Sequence, residues 1–364
     1  MSGAEVCLIS KGAQDVFITE KFNSDRNISQ YSRITNFAQK TTQCPWPNPN
    51  QPLENKSLTI VKIPRNGDLL SHMWLENSNI VDRLQDTTFS LYIGGQQIDS
   101  QTFDYMSDIW QIYMAETYSK SRTINNLVSK SNKNFFPLHF FFCDHGMFLP
   151  LVSLQYYPVE IHINWGSQIN NDVDTEIPNF YANFVLLDGR ERDFLAKTKL
   201  EFLITQVQRI PFSANPKNNK LDLRSLNHPT KAIFFGIETS NAYTEFDRWT
   251  FDKASLTLNH NYVFENLSNS YFHTIQGYYN TDFGYLDYDT DFWSPMYTRY
   301  YMYSFGNKVN TYSISGTCNF SRIENSLLFL NGFNNTTTKG MKAYAVNYNV
   351  LRIQNGMAGL MFSN

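Results

Sequence analysis

Strand-like segments in the first half of the chain recur in the second at a near-constant spacing, which leaves few architectures open. Residues 69–75 are answered by 231–237 (KAIFFGI), and 90–93 (SLYI) by 255–258 (SLTL). Residues 136–141 (FPLHFF) are answered by 300–305 (YYMYSF), and 159–165 (VEIHINW) by 323–330. Each spacing is about 160 to 165 residues, in pattern and not in identity, which predicts tandem copies of one β architecture. A length of 364 residues exceeds one ordinary sandwich and suits two domains of about 180 each. Residues 57–63, 88–93 and 181–187 also read as strands, and Gly94-Gly95 as the turn between 88–93 and 96–98. Residues 135–143 lead through a turn at 144–146 into 147–154, both strand-like. Short strands with turn signals between them predict an all-β chain of two sandwiches. Eight-stranded jelly rolls are one solution, and pattern alone does not separate them from an immunoglobulin-like topology.

Between the halves lies LLDGRERDFLAKTKLEFLITQVQ, residues 186–208, the best helix candidate. Asp188 is placed to cap its amino end, with Glu191 three residues on as in a capping box. Ala196, Leu200, Leu203 and Val207 recur at helical steps, and Pro211 closes the segment. The expected organisation is an arm at 1–25, a first unit at 26–187, a bridging helix at 188–210 and a second unit at 211–364. Short helices are also expected within 103–127.

Aromatics make up 16% of the chain and charged residues only 17%, a balance that favours half-buried pleated surfaces. A formal charge of −3 without a long basic run argues against direct nucleic-acid binding. Residues 1–17 carry no apolar core of the length a secretory signal needs. The most apolar run, 135–143, falls far short of the ~20 residues of a membrane span and contains Pro137 and His139. Cys7, Cys44, Cys143 and Cys318 form no close pair, so buried reduced thiols are expected in place of a metal site or disulfide.

Candidate chemistry is thin. Asp287, Asp289 and Asp291 alternate as in a calcium loop, but Phe292 and Thr298 stand where Gly and Glu are needed, which favours a solvated acidic loop. Tyr278, Tyr279, Tyr285 and Tyr288 around it form a candidate contact surface. Cys143-Asp144-His145 reads as a turn, because sequence neighbours rarely converge on one substrate. His162 reads as a surface position on a strand, and the acids Glu160, Glu238 and Glu245 are paired by no motif. No catalytic, cofactor-binding or metal-ligating residue is therefore assigned. Of the six N-x-[ST] sequons, Asn334 and Asn335 are the candidate glycan acceptors.

Five stretches together resemble one family. They are LYIGGQQIDSQTFDYMSDIW (91–110), FPLHFFFCDHGMFLPLVSLQYYPVEIHI (136–163), the bridge, SGTCNFSRIENSLL (315–328) and KAYAVNYNVLRIQNGMAGLMFSN (342–364). In this order they resemble the major capsid protein of nucleocytoplasmic large DNA viruses, over nearly the whole chain. The resemblance implies an all-β fold of two tandem eight-stranded jelly rolls joined by a short helix. It implies homotrimeric, pseudo-hexagonal capsomers tiling an icosahedral virion shell made in the host cytoplasm. Minor capsid and penton proteins, and proteins of an internal membrane, are the implied partners; no cofactor is implied. The chain departs from larger relatives in being short, so a low outer crown is expected. The rival readings are a minor capsid or scaffolding protein of the same lineage, and a carbohydrate-binding tandem β-sandwich.

Overall fold

The computed structural model describes residues 37–47, 53–76, 86–116, 135–143, 147–167, 177–213, 219–239, 251–281, 300–311, 313–333 and 338–362, with Leu84, Lys120 and Ile169 between them. In the first half the strands are β1 (Phe37–Cys44), β2 (Leu58–Lys62), β3 (Leu69–Glu76), β4 (Thr88–Ile93), β5 (Gln96–Thr102), β6 (Phe136–Pro137), β7 (Leu149–Pro150), β8 (Val159–Asn164) and β9 (Asn179–Leu187). A helix, α1 (Gly189–Lys197), leads to the second half. There the strands are β10 (Leu200–Ser213), β11 (Lys220–Asp222), β12 (Pro229–Thr239), β13 (Lys253–Leu258), β14 (Asn261–Ser268), β15 (Tyr301–Ser304), β16 (Cys318–Asn319), β17 (Ser326–Asn331), β18 (Thr338–Gln354) and β19 (Met357–Leu360).

The two halves are wired alike. The first has sheets ordered β1-β9-β3-β6 and β2-β8-β4-β5; the second has β10-β18-β12-β15 and β11-β17-β13-β14. Pairing is nested and antiparallel: β1 with β9, β2 with β8, β3 with β6 and β4 with β5, then β10 with β18, β11 with β17, β12 with β15 and β13 with β14. A long hairpin rolled into two sheets has this order, which is the jelly roll. All four segment pairs of the sequence pattern fall on equivalent strands or on the turns beside them. Even the hairpin turns agree. Gly94 (φ +59°) and Gly95 (φ +81°) join β4 to β5, and Asn259 (φ +48°) and His260 (φ +68°) join β13 to β14. Two successive positive φ values give the turn whose twist matches its strands.

Alternation along each strand explains the cores. In the first half Phe89, Leu91 and Ile93 of β4 and Val159, Ile161 and Ile163 of β8 face Leu70, Met73 and Leu75 of β3 and Phe180 and Phe184 of β9. The inner strands of the β10-β18-β12-β15 sheet, β18 and β12, are buried on both faces. Ile233, Phe235 and Ile237 of β12 enter the second core, while Ala232 and Phe234 join the first. Tyr344 and Val346 of β18 divide from Ala343 and Ala345 in the same way. A strand covered on both sides reads as a continuous apolar run, which is what KAIFFGI is.

The bridge differs from its expected form. Its helix ends at Lys197, with no residue buried, and Leu200 onward is strand. Residues 200–210 each pair with β18, so an eleven-residue ladder overrides the helical spacing of Leu200, Leu203 and Val207. Asp188 holds the N-cap position without a side-chain hydrogen bond, so the capping box does not form. Pro211 does not end a helix; it lies where the β10–β18 register shifts between Ile210 and Ser213, a place that needs no ladder amide. Among the described residues of 135–154 only Phe136–Pro137 and Leu149–Pro150 are strand. Pro137 has no amide to extend the ladder, and residues 151–153 form a 3-10 turn. Of the short helices expected within 103–127, the described residues show a buried π-helix, Tyr105–Met114, while residues 117–119 and 121–127 lie outside them. The arm at 1–25 lies outside the described residues.

Candidate functional site

A buried polar network lines the seam where the first unit's β5 and π-helix meet the second unit's β10-β18-β12-β15 sheet. The edge of β10 runs beside β5, and a carboxylate closes it. Asp99 Oδ1 accepts the amide of Val207 at 2.9 Å and that of Ser100 at 2.9 Å, while Oδ2 accepts Gln101 Nε2 at 2.7 Å. Burial outweighs these bonds and pushes the Asp99 acid up to about 6. Beside it Gln206 Nε2 donates to Ile98 O, and Gln206 Oε1 accepts Asn349 Nδ2 at 2.9 Å.

Further along the seam, rings and ion pairs alternate. The Tyr113 ring lies 5.6 Å from Phe234, and its hydroxyl donates to Tyr300 O at 2.9 Å. Thr102 Oγ1 and the Tyr344 hydroxyl share a 2.9 Å bond, and Lys342 Nζ meets Asp104 Oδ2 at 3.0 Å. Burial raises the Tyr344 phenol to about 12 and pushes that of Tyr113 higher still, so both remain neutral. At the far end α1 is tied to the first unit. Arg192 Nε donates to Asp68 Oδ1 at 3.0 Å, Asp68 Oδ2 accepts the Leu187 amide at 2.9 Å, and Ser153 Oγ donates to Leu195 O at 2.7 Å. These contacts fix the orientation of the two units.

The seam uses one edge of each unit, and among the described residues no strand pairs with the outer side of the counterpart edges. The equivalent of β5 is β14, where Tyr262 is 58% and Val263 38% exposed. The equivalent of β10 is β1, an edge strand with alternating exposure that starts at Phe37, 52% exposed.

Among the described residues, those singled out in the sequence lie apart from one another, save Tyr278 with Tyr279 and His162 with Glu160. Asn334, Asn335, Asp287, Asp289, Asp291, Tyr285 and Tyr288 lie outside the described residues, as do Asp144, His145 and Glu245. Tyr278 and Tyr279 are exposed and meet edge to face at 5.0 Å. Cys143 closes a turn through its amide to Phe140 O at 2.8 Å. His162 is half-buried, stacked on Tyr92 at 3.9 Å and bonded to Glu160 at 3.1 Å. Among the described residues no cluster of His, Cys, Asp or Glu could hold a metal, and no helix is long and apolar enough to cross a membrane. Cys44 is buried and its thiol is pushed up to about 12, as suits a packing residue. Sequence reasoning missed Asp99, Gln206 and Lys342, because a partner of each comes from the other unit: Val207, Ile98 and Asp104 respectively.

Comparison with known proteins agrees with the geometry. A family model for the N-terminus of major capsid proteins matches residues 28–188, and one for large eukaryotic DNA virus major capsid proteins matches 191–359. The chain is 28% identical to the major capsid protein of Pyramimonas orientalis virus and 27% to that of Paramecium bursaria Chlorella virus 1, each alignment covering 100% of both chains. Among solved structures, PBCV-1 VP54 matches with a TM-score of 0.75 at 24% identity, covering 93% of this chain and 100% of that one. The Faustovirus major capsid protein matches at 0.66 and 11% identity, covering 96% and 97%. With two jelly rolls wired alike and matching models over both halves, the chain belongs to the family of major capsid proteins of large eukaryotic DNA viruses.

Proposed function

We propose that this shell protein closes into homotrimers in which β14 of one chain meets β1 of the next. The observation that carries this is the pair of edge strands, β14 and β1, unpaired on their outer sides among the described residues and equivalent to the two strands already joined at the seam. Repeating the seam between chains is a head-to-tail contact, and such contacts either close into rings or run on as filaments. Three chains of two units each give a six-membered ring, so that one type of junction serves six times. The exposed Tyr262, Val263 and Phe37 supply the apolar part of the contact. In this reading the arm at 1–25 reaches neighbouring proteins, and residues 26–187 and 211–364 are the two bricks, with β10 extending the second back to Leu200. Trimers then tile an icosahedral shell assembled in the host cytoplasm, with minor capsid, penton and internal-membrane proteins as partners. The weak net charge supports leaving nucleic acid off that list.

Light scattering on the purified full-length chain tests the ring. A mass of three chains is expected, and Tyr262→Asp combined with Val263→Asp should give folded monomers with unchanged circular dichroism. A wild-type chain that stays monomeric at every concentration would overturn the ring. Trimers unaffected by the double substitution would overturn the assignment to β14.

A further inference from the structure

Between the two units lies a cavity of about 30 Å3, room for about two waters. Gln101, Tyr105 and His139 line it from the first unit, and Lys231, Asn310 and Val346 from the second. Two of these side chains, Asn310 and Gln101, bring polar atoms to it that have no partner among the described residues, and Lys231 brings an ammonium. Asn310 is 3% exposed, and neither its Oδ1 nor its Nδ2 has a partner. Gln101 is equally buried; its Nε2 is held by Asp99 Oδ2 and by His139 O at 2.7 Å each, which fixes the amide with Oε1 unpartnered. Lys231 is 2% exposed and has three N–H donors. It donates to Thr311 O and lies 5.6 Å from the centre of the Tyr348 ring. Burial alone pulls its ammonium down to about 8, so it still carries charge at neutral pH.

Buried polar groups in native proteins nearly always find partners, in the protein or in ordered water. The occupant here must do two things in a small space: accept from an ammonium and an amide N–H, and donate to two amide oxygens. A halide accepts only. A metal cation takes lone pairs only, and Lys231 repels it. Water does both.

We propose that this cavity is a built hydration site, in which ordered water accepts from Lys231 Nζ and Asn310 Nδ2 and donates to Gln101 Oε1 and Asn310 Oδ1. The water belongs to the seam. It links the ammonium of the second unit, through Gln101, to the carboxylate of Asp99 in the first, and so joins two buried charges that make no direct pair. Such a bridge tolerates small adjustments between the units that a direct ion pair would resist.

A crystal or single-particle map of the full-length protein that resolves ordered solvent tests this directly. Solvent density is expected within hydrogen-bond reach of Lys231 Nζ, Gln101 Oε1 and Asn310. Crystals soaked in bromide should show no anomalous peak there. A dry cavity, or a bromide peak, would overturn the proposal. Solution energetics give a second reading through the Lys231→Met, Gln101→Leu double-mutant cycle. Groups sharing a water should couple by at least tenfold in the unfolding constant. Effects that multiply to within twofold would also overturn it, and should the variants fail to fold, the wild-type map decides alone.

Discussion

Asp99 makes the seam sensitive to pH in a direction opposite to that of most paired carboxylates. Its acid has an ordinary value of 3.8 and sits at about 6 in the folded chain, because burial outweighs the three hydrogen bonds it accepts. The folded state therefore holds a proton that the unfolded chain gives up between those values. Stability is unaffected well below pH 3.8, falls as pH rises through the window from 3.8 to about 6, and is flat above it. At about 1.4 kcal/mol per unit, the full penalty is about 3 kcal/mol, of which about 2 falls between pH 4.5 and 8. Asp99→Asn abolishes the titration. Its new amide would face Gln101 Nε2 and force that side chain to turn, at a cost that does not vary with pH. The informative quantity is thus the slope of the difference and not its offset. Chemical denaturation of wild type and variant at one protein concentration, in steps from pH 4.5 to 8, should show wild type losing about 2 kcal/mol relative to the variant. Curves that run parallel within about 0.5 kcal/mol would refute the account.

Two further substitutions probe the packing. Phe234→Ala removes a buried ring from the seam face of β12 and should destabilise the chain by about 3–5 kcal/mol in denaturant titrations, with strand content kept in the survivors. Gly94→Val places a branched side chain at φ +59°, where even a Cβ would lie 2.1 Å from the Tyr157 ring. It should lower the melting temperature markedly, whereas Gly95→Asn, in open space at a φ that Asn tolerates, should change it little.

What was legible in the sequence follows from where each strand's neighbours come from. KAIFFGI announced a strand covered on both sides, and VEIHINW announced one face in and one out; both signals are local. β5 is the reverse case. QQIDSQT looks like a solvated edge, yet Ile98, Asp99, Gln101 and Thr102 are buried because a segment about a hundred residues away lies over them. β10 misled for a related reason. Leu200, Leu203 and Val207 fall at helical intervals, but in the strand Leu203 faces outward while Ile204 is buried. The second hairpin turn was invisible because Asn259-His260 lacks the glycine that marked the first. β1 was missed because FAQKTTQC is polar on both sides of its alternation, as an edge awaiting a partner can be.

The shared wall β10-β18-β12-β15 also sets a timetable for synthesis. The Tyr113 ring and the rest of the first unit's seam face leave the ribosome well before β12, and the wall's other inner strand, β18, is made later still. At ordinary elongation rates of about 5–20 residues per second, that face waits on the order of ten seconds for its cover. A nascent chain stalled after α1 would present it to any sticky neighbour, so truncated products of this gene should engage chaperones far more than the finished protein does.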